Sequence, residues 1–317
     1  MIPSASTTVY PPADAIQGRF VETQQRTMLR LKGKDGLDFL HRISTNDVIS
    51  LRVGAHAGTI LTNEKGRMID VVSVIRESDD SILVVGQSTP LSELRTWIEK
   101  FIVMEDLNIT EVHDECSHII IYDLESKSEK PDDKALKQWT QLILQAYPTL
   151  RLFTEQWTPV PTIHLLVPTS GSEFSPASFG DRFRNSSLVE YENFRIESGI
   201  PAHPNEINPS YNPLEAGLDE LVSFTKGCYI GQEVIARLRT YEKVRRKLVQ
   251  FEISGAEIHA PAPIISSGTE VGQLTSVTNA ADKCHHALGY LDIARISDKD
   301  LVCRAGSGDV PITIKLQ

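Results

Sequence analysis

Lys226-Gly227-Cys228-Tyr229-Ile230-Gly231-Gln232-Glu233 sets a thiol two residues after a cation and between two glycines, directly before Val234-Ile235-Ala236-Arg237-Leu238, which reads on as a helix. A thiol near a helix N-terminus and a lysine ammonium has its thiolate favoured by both positive potentials. Gly227 and Gly231 let backbone or ligand approach closely. The plainer alternative is a turn entering a helix, with Cys228 as a small buried filler.

Together with the preceding Asn212-Pro213-Leu214-Glu215-Ala216-Gly217-Leu218 and Val222-Ser223-Phe224-Thr225, this string resembles the signature of the YgfZ-type folate-binding proteins. These are relatives of the glycine-cleavage T-protein, an aminomethyltransferase. In that family K-G-C-Y-x-G-Q-E separates the iron-sulfur-related branch from the aminomethyltransferases, which have no cysteine there, and every specified residue of the motif is present. The similarity runs from about Met28 to the C-terminus and is weakest between about Asp123 and Phe183. It implies an α+β fold: a multi-lobed, T-protein-like folate-binding body over 1–240, with a middle lobe at about 110–185, and a C-terminal β-barrel domain over 241–317.

Composition frames that expectation. A chain of 317 residues, 40% hydrophobic and 23% charged, can bury a sizeable core and is expected to form two or three domains. With 32 basic against 42 acidic residues the formal charge is -10, which argues against a surface built for nonspecific nucleic-acid binding. Cysteines 116, 228, 284 and 303 are widely separated and form no C-x-x-C pair, so reduced thiols in a cytoplasmic setting are expected. Met1 to Phe20 lacks a basic region followed by an apolar run, and no stretch approaches the roughly 18 apolar residues of a membrane span.

Short β-branched runs at Ile69–Ile75, Ser81–Val85, His118–Tyr122 and Thr162–Val167 predict strands. Leu91, Leu94, Trp97, Ile98, Phe101 and Ile102 recur at helical spacing, as do Leu136, Trp139, Leu142, Ile143 and Ala146. Polar stretches at 125–134 and 171–180 read as exposed connections that bracket the middle lobe. After Tyr241 short strands separated by Gly, Pro, Ser and Asn predict a small barrel.

Three further segments carry candidate chemistry. Tyr191-Glu192-Asn193-Phe194-Arg195-Ile196-Glu197-Ser198-Gly199 resembles the R-x-E-x-G of aminomethyltransferases, in which the glutamate accepts hydrogen bonds from the pterin ring of the folate. The resemblance makes Glu197 a buried reader of the pterin edge, through two carboxylate oxygens that suit its adjacent N–H donors. Tyr191 becomes the ring packed on the pterin face. On its residue type alone, Glu197 reads as a surface or capping acid. Leu61 to Val72 resembles the G-G-x-x-D-D stretch of the same enzymes but keeps only the first acid, as Asp70, with Val71 in the second place. That loss weakens the case for aminomethyl transfer, and Asp70 also reads as a cap on a strand end. From Arg237 to Lys247 six basic residues stand against one acid, either as a solvated linker face or as an anion site in which Arg237 or Arg239 forks onto the glutamate tail of a folate. Cys284-His285-His286 and the His113, Cys116, His118 group lack partners at zinc spacing and carry no metal expectation.

The resemblance therefore implies a cytoplasmic tetrahydrofolate-binding protein that assists assembly or repair of iron-sulfur clusters, its partners being iron-sulfur enzymes or assembly proteins. In this reading folate lies in a central hole with Cys228 near its mouth; Cys228 supplies a thiolate, Lys226 raises the local potential, and Asp70 joins them at the working site. The alternatives are a folate-dependent aminomethyltransferase or demethylase, and a non-catalytic scaffold stabilised by folate.

Overall fold

In a computed structural model, the described residues are 16–23, 27–87, 89–125, 133–155, 157–254, 258–279, 284–305 and 308–315. Most of the expected connection at 125–134 and most of the N-terminal segment read for a leader lie outside them. The chain runs β1 (Gln17–Thr23), β2 (Met28–Lys32), α1 (Gly36–Ile43), β3 (His56–Thr62), β4 (Met68–Arg76), β5 (Ser81–Gly86), α2 (Leu91–Glu99), β6 (Asn108–Glu111), β7 (Cys116–Glu125), α3 (Asp133–Ala146), β8 (Arg151–Glu155), β9 (Thr162–Pro168) and β10 (Phe183–Asn185). It continues through α4 (Leu188–Glu197), α5 (Gln232–Thr240), β11 (Arg246–Ser254), β12 (Ala262–Ser266), β13 (Thr269–Val277), β14 (Cys284–Asp292), β15 (Val302–Ala305) and β16 (Gly308–Ile314). The strands foreseen at Ile69–Ile75, Ser81–Val85, His118–Tyr122 and Thr162–Val167 and the helical set Leu136 to Ala146 fall within these elements, whereas the set that begins at Leu91 outruns its helix: α2 ends at Glu99, and Phe101 and Ile102 follow it.

The elements separate into two compact units. One is the sheet β10-β1-β7-β9-β8 with α3 against it. Alternation along the strands sends Ile119 and Ile121 of β7 and Ile163 and Leu165 of β9 to one face, where Leu136, Trp139 and Ile143 of α3 meet them.

The other unit contains the sheet β3-β4-β5-β2-β6 and everything from residue 189 onward. This sheet is buried on both faces, which is why β4 reads as a nearly continuous apolar run instead of an alternating one. Leu61, Val72 and Val74 turn to the side of α1 and α2, where Phe39, Leu40, Leu94 and Ile98 are fully buried. Ile60, Met68 and Val71 turn to the opposite side, against Ile207, Tyr211, Leu221, Tyr229 and Ile235. Each such aliphatic or aromatic side chain contributes about 1.5 to 3 kcal/mol by leaving water.

The C-terminal strands close into a six-stranded barrel in the order β11-β14-β13-β12-β15-β16. Phe251, Ile253, Ile264, Leu274, Ala287 and Leu291 fill its interior. Strands β13 and β14 approach so closely that a Cβ at Gly272 would lie 2.3 Å from the Tyr290 carbonyl and one at Gly289 2.6 Å from that of Gln273. Glycine at both places permits the closure.

Candidate functional site

The signature loop is anchored to the sheet and to the end of α1. A helix leaves its last carbonyls without partners inside the helix, and here the Lys226 ammonium takes them. Its Nζ donates to the carbonyl of His41, to that of Ser44 at 2.7 Å and to that of Asn46 at 2.8 Å. Burial pushes the Lys226 ammonium down to about 8, with nearby Asp47 opposing the shift. Around it the Thr45 hydroxyl donates to the Leu221 carbonyl at 2.6 Å, the Ser223 amide to the Thr45 carbonyl at 3.0 Å, and the Thr62 hydroxyl to the Ile230 carbonyl at 2.6 Å. The Lys226 ammonium is thus directed at backbone oxygens of α1 and the loop that follows it, a role the sequence reading, which aimed it at the thiol, did not foresee.

Tyr229 turns inward: its side chain is buried, its hydroxyl has no hydrogen-bond partner among the described residues, and burial pushes that hydroxyl up to about 12. The neighbouring Cys228 is exposed, which rules out the buried-filler alternative. Cys284 is exposed as well, whereas Cys116 and Cys303 are buried, and burial pushes the Cys303 thiol up to about 11. Gly231 precedes α5 in the left-handed region at φ 81°, and a Cβ there would lie 2.6 Å from the Asn63 carbonyl. Gly227 has open space around it.

On α4 the R-x-E pair divides its roles. Two residues apart on a helix is about 200° of rotation, so Arg195 and Glu197 face opposite ways. Arg195 is buried, donating to Glu206 at 3.0 Å, to the Ser276 hydroxyl at 2.8 Å and to the Ile200 carbonyl at 3.2 Å. Glu206 is itself fully buried and also accepts from the Ala202 amide at 3.1 Å and the Ser276 hydroxyl at 2.7 Å. The Glu197 side chain is exposed, so the expectation of a buried carboxylate at this position is corrected. The buried acid is Glu206, chosen by the helix face that Arg195 presents to the barrel. Tyr191 lies one turn before Arg195 and shares its side of the helix more nearly than that of Glu197.

Beside Glu197 opens a cleft of about 430 Å3. Gln250 donates to the Glu197 carbonyl at 2.9 Å and Lys315 at 3.2 Å, and both residues line the cleft. Trp157 contributes an indole, Leu218 and Leu288 apolar wall, and Lys247 a second cation. A planar ring with an anionic tail fits such a lining: apolar and aromatic surface for the ring, lysines for the carboxylates.

Asp70 is fully buried on β4, accepting from the Val71 amide at 2.9 Å and the Gln87 amide at 3.2 Å. Arg237 is exposed and paired along α5 with Glu233 at 3.4 Å, and Arg239 stacks over the Phe224 ring at 3.8 Å. Neither arginine lines the cleft beside Glu197. Sequence reasoning passed over Glu206 and Glu215, two buried acids that organise the loop between α4 and the signature. The available signal was Asn212-x-x-Glu215, whose reciprocal spacing is that of a capping box. Asn212 Oδ1 accepts from the Glu215 amide and Glu215 Oε2 from the Asn212 amide, each at 3.0 Å. Among the described residues no group of three or more His, Cys, Asp or Glu side chains is arranged to hold a metal ion, and no helix is long and apolar enough to cross a membrane.

Comparison with known proteins adds three findings. Residues 19–122 match the GCVT N-terminal domain and residues 245–317 the C-terminal β-barrel domain of CAF17. A chloroplastic protein of Arabidopsis thaliana is 28% identical over 275 residues, 83% of this chain and 62% of the relative. The mitochondrial iron-sulfur cluster assembly factor IBA57 of Mus musculus is 24% identical over 309 residues, 92% of this chain and 80% of the relative. The chain therefore spans between about three fifths and four fifths of the length of these relatives. In structure it is similar to the glycine cleavage system aminomethyltransferase T of Bartonella henselae, with a TM-score of 0.74 at 16% identity over 96% of this chain and 86% of that one.

Proposed function

Because this chain joins a GCVT N-terminal domain to a CAF17-type C-terminal barrel on a T-protein-like fold, consistent with a YgfZ-type protein, we propose that it binds a reduced folate and acts in the assembly or repair of iron-sulfur clusters through Cys228. The observation that carries the reading is this pairing of domains, which the chain has together with similarity to an iron-sulfur cluster assembly factor. The match of residues 19–122 to the GCVT N-terminal domain supports the folate half of the proposal.

The chain's own residues divide the task as follows. Trp157 and the apolar wall of the cleft beside Glu197 take the pterin ring and exclude water from it; Glu197 accepts from the pterin edge; Lys247 and Lys315 hold the carboxylates. Bound tetrahydrofolate would supply a reduced pterin and its one-carbon chemistry. Lys226 fixes the start of the loop that displays Cys228, and the exposed sulfur is a soft ligand for a cluster or its iron as cargo. Aminomethyl transfer is the weaker reading, since Asp70 is enclosed within the fold and Val71 stands in place of the second acid.

Replacing Cys228 by serine tests this division. The variant is expected to melt and to bind tetrahydrofolate as the wild type does, while cells that depend on the protein lose iron-sulfur enzyme activity, because a serine hydroxyl stays protonated and ligates soft metals poorly. Full complementation by Cys228→Ser would remove the thiol from the function. A wild-type protein that takes up no tetrahydrofolate in calorimetry would remove the folate.

A further inference from the structure

A second cleft, of about 720 Å3, opens where the β3–β4 turn, the loop around Tyr211, the link from α5 to β11, and strands β13 and β14 come together. Its organising group is Glu215, whose buried Oε2 accepts from Arg67 Nη1 at 2.9 Å while Oε1 accepts from Arg246 Nε at 3.4 Å. The Ser210 carbonyl accepts a second bond from each guanidinium, at 3.1 Å from Arg67 and 3.3 Å from Arg246. One buried carboxylate thus fixes two guanidiniums side by side, and since each carries five N–H donors, both retain donors beyond those bonds.

Around this pair stand Lys65, Lys243 and Arg245, all exposed. Asn63 Oδ1 accepts from the amides of Lys65 and Arg67 at 3.0 Å each, so the turn that bears both cations is held in one shape. Among the described residues none of Lys65, Lys243 and Arg245 is paired with a carboxylate; Lys243 rests 5.3 Å from the Tyr241 ring. Five cations therefore line the cleft against Glu215, Glu270 and Asp292. Of these acids, Glu215 is answered by the arginines it holds and Asp292 accepts from the Ala294 amide at 3.0 Å. On a chain of formal charge -10 this is a local reversal of sign.

We propose that this cleft is a binding site for a small anion with two or more negative groups, a phosphate ester or a polycarboxylate, gripped by Arg67 and Arg246 and enclosed by Lys65, Lys243 and Arg245. The volume is that of a metabolite site. Charge, not stacking, does the recognising: Tyr211 has Tyr290 stacked on it at 3.5 Å and the Arg246 guanidinium 5.2 Å from its ring centre. Guanidiniums prefer to fork onto paired oxygens, which favours phosphate or carboxylate over a simple halide.

Titration calorimetry on the full chain, with sodium pyrophosphate in one arm and tricarballylate in the other, tests the proposal at low and moderate salt. Saturable binding of at least one anion is expected, weakening as salt rises. The arm that binds more tightly assigns the phosphate or the carboxylate chemistry. The combined variant Lys65→Ala, Lys243→Ala, Arg245→Ala should lose about tenfold or more in affinity at an unchanged melting temperature. Lys65→Arg, which keeps the charge, should bind as the wild type does. No saturable heat with either anion, or equal affinity in the wild type and the combined variant, would overturn the proposal. A melting temperature lowered in the combined variant shifts the decision to Lys65→Ala alone, where unchanged affinity would count against it.

Discussion

The Lys226 ammonium donates to the Ser44 carbonyl at 2.7 Å across 182 residues of sequence, so the cation of the signature closes the end of α1 while Cys228 stays on the surface. The bond couples the loop that carries the thiol to the N-terminal sheet. It also gives Lys226 a pH-dependent weight in stability.

Burial lowers the Lys226 ammonium from the ordinary 10.5 to about 8. Below pH 8 it is charged in both folded and unfolded chains. Between about 8 and 10.5 the unfolded chain still binds the proton that the folded chain has released, so this contribution to stability rises with pH across that window. Urea denaturation between these limits should find the wild type gaining on Lys226→Met. Parallel profiles would mean that Lys226 keeps an ordinary affinity for its proton.

The two glycines of the signature should answer differently to a methyl group. Gly231→Ala meets a positive φ and the Asn63 carbonyl and is expected to cost about 1 to 3 kcal/mol. Gly227→Ala meets open space and should stay within about 1 kcal/mol of the wild type. Denaturation midpoints of the two variants, measured side by side, decide it; equal losses would refute the distinction.

Arg195 and Glu206 form a buried ion pair at 3.0 Å that joins α4 to the loop leading to the signature. Removing the Glu206 charge leaves the buried Arg195 with Glu192, whose Oε2 accepts from its Nε at 2.8 Å, as its remaining carboxylate. Glu206→Gln is expected to lose roughly 1.5 to 3 kcal/mol of stability, the worth of a buried hydrogen bond to a charged group, whereas an exposed pair such as Arg237–Glu233 should lose less than about 1 kcal/mol on Glu233→Gln. Thermal unfolding of both variants checks the contrast.

Glu197→Gln should weaken tetrahydrofolate binding by roughly 1.5 to 3 kcal/mol, the worth of a hydrogen bond to a charged acceptor, with the melting temperature unmoved because the side chain is exposed. Equal affinities in calorimetry would move the pterin contact to another residue.

By itself the sequence determined much of this architecture. β-Branched runs such as His118–Tyr122 encode strands through local residue preference, and the helical spacing of Leu136, Trp139 and Ile143 encodes a helix because burial of one face is a local property of spacing. Glycine and proline after Tyr241 announced the barrel for the same reason. What only the tertiary structure decided is which neighbour each polar group meets. The same pattern K-G-C is compatible with an ammonium aimed at a thiol or at the end of α1, and the choice was made by carbonyls 180 residues or more away. Likewise R-x-E names two acidic or basic groups without saying which is buried; the barrel took Arg195, helical rotation then turned Glu197 outward, and Glu206 became the buried partner. Spacing fixes faces, whereas the pairing of charges depends on the cost of removing each from water, which exists only once distant segments have closed around it.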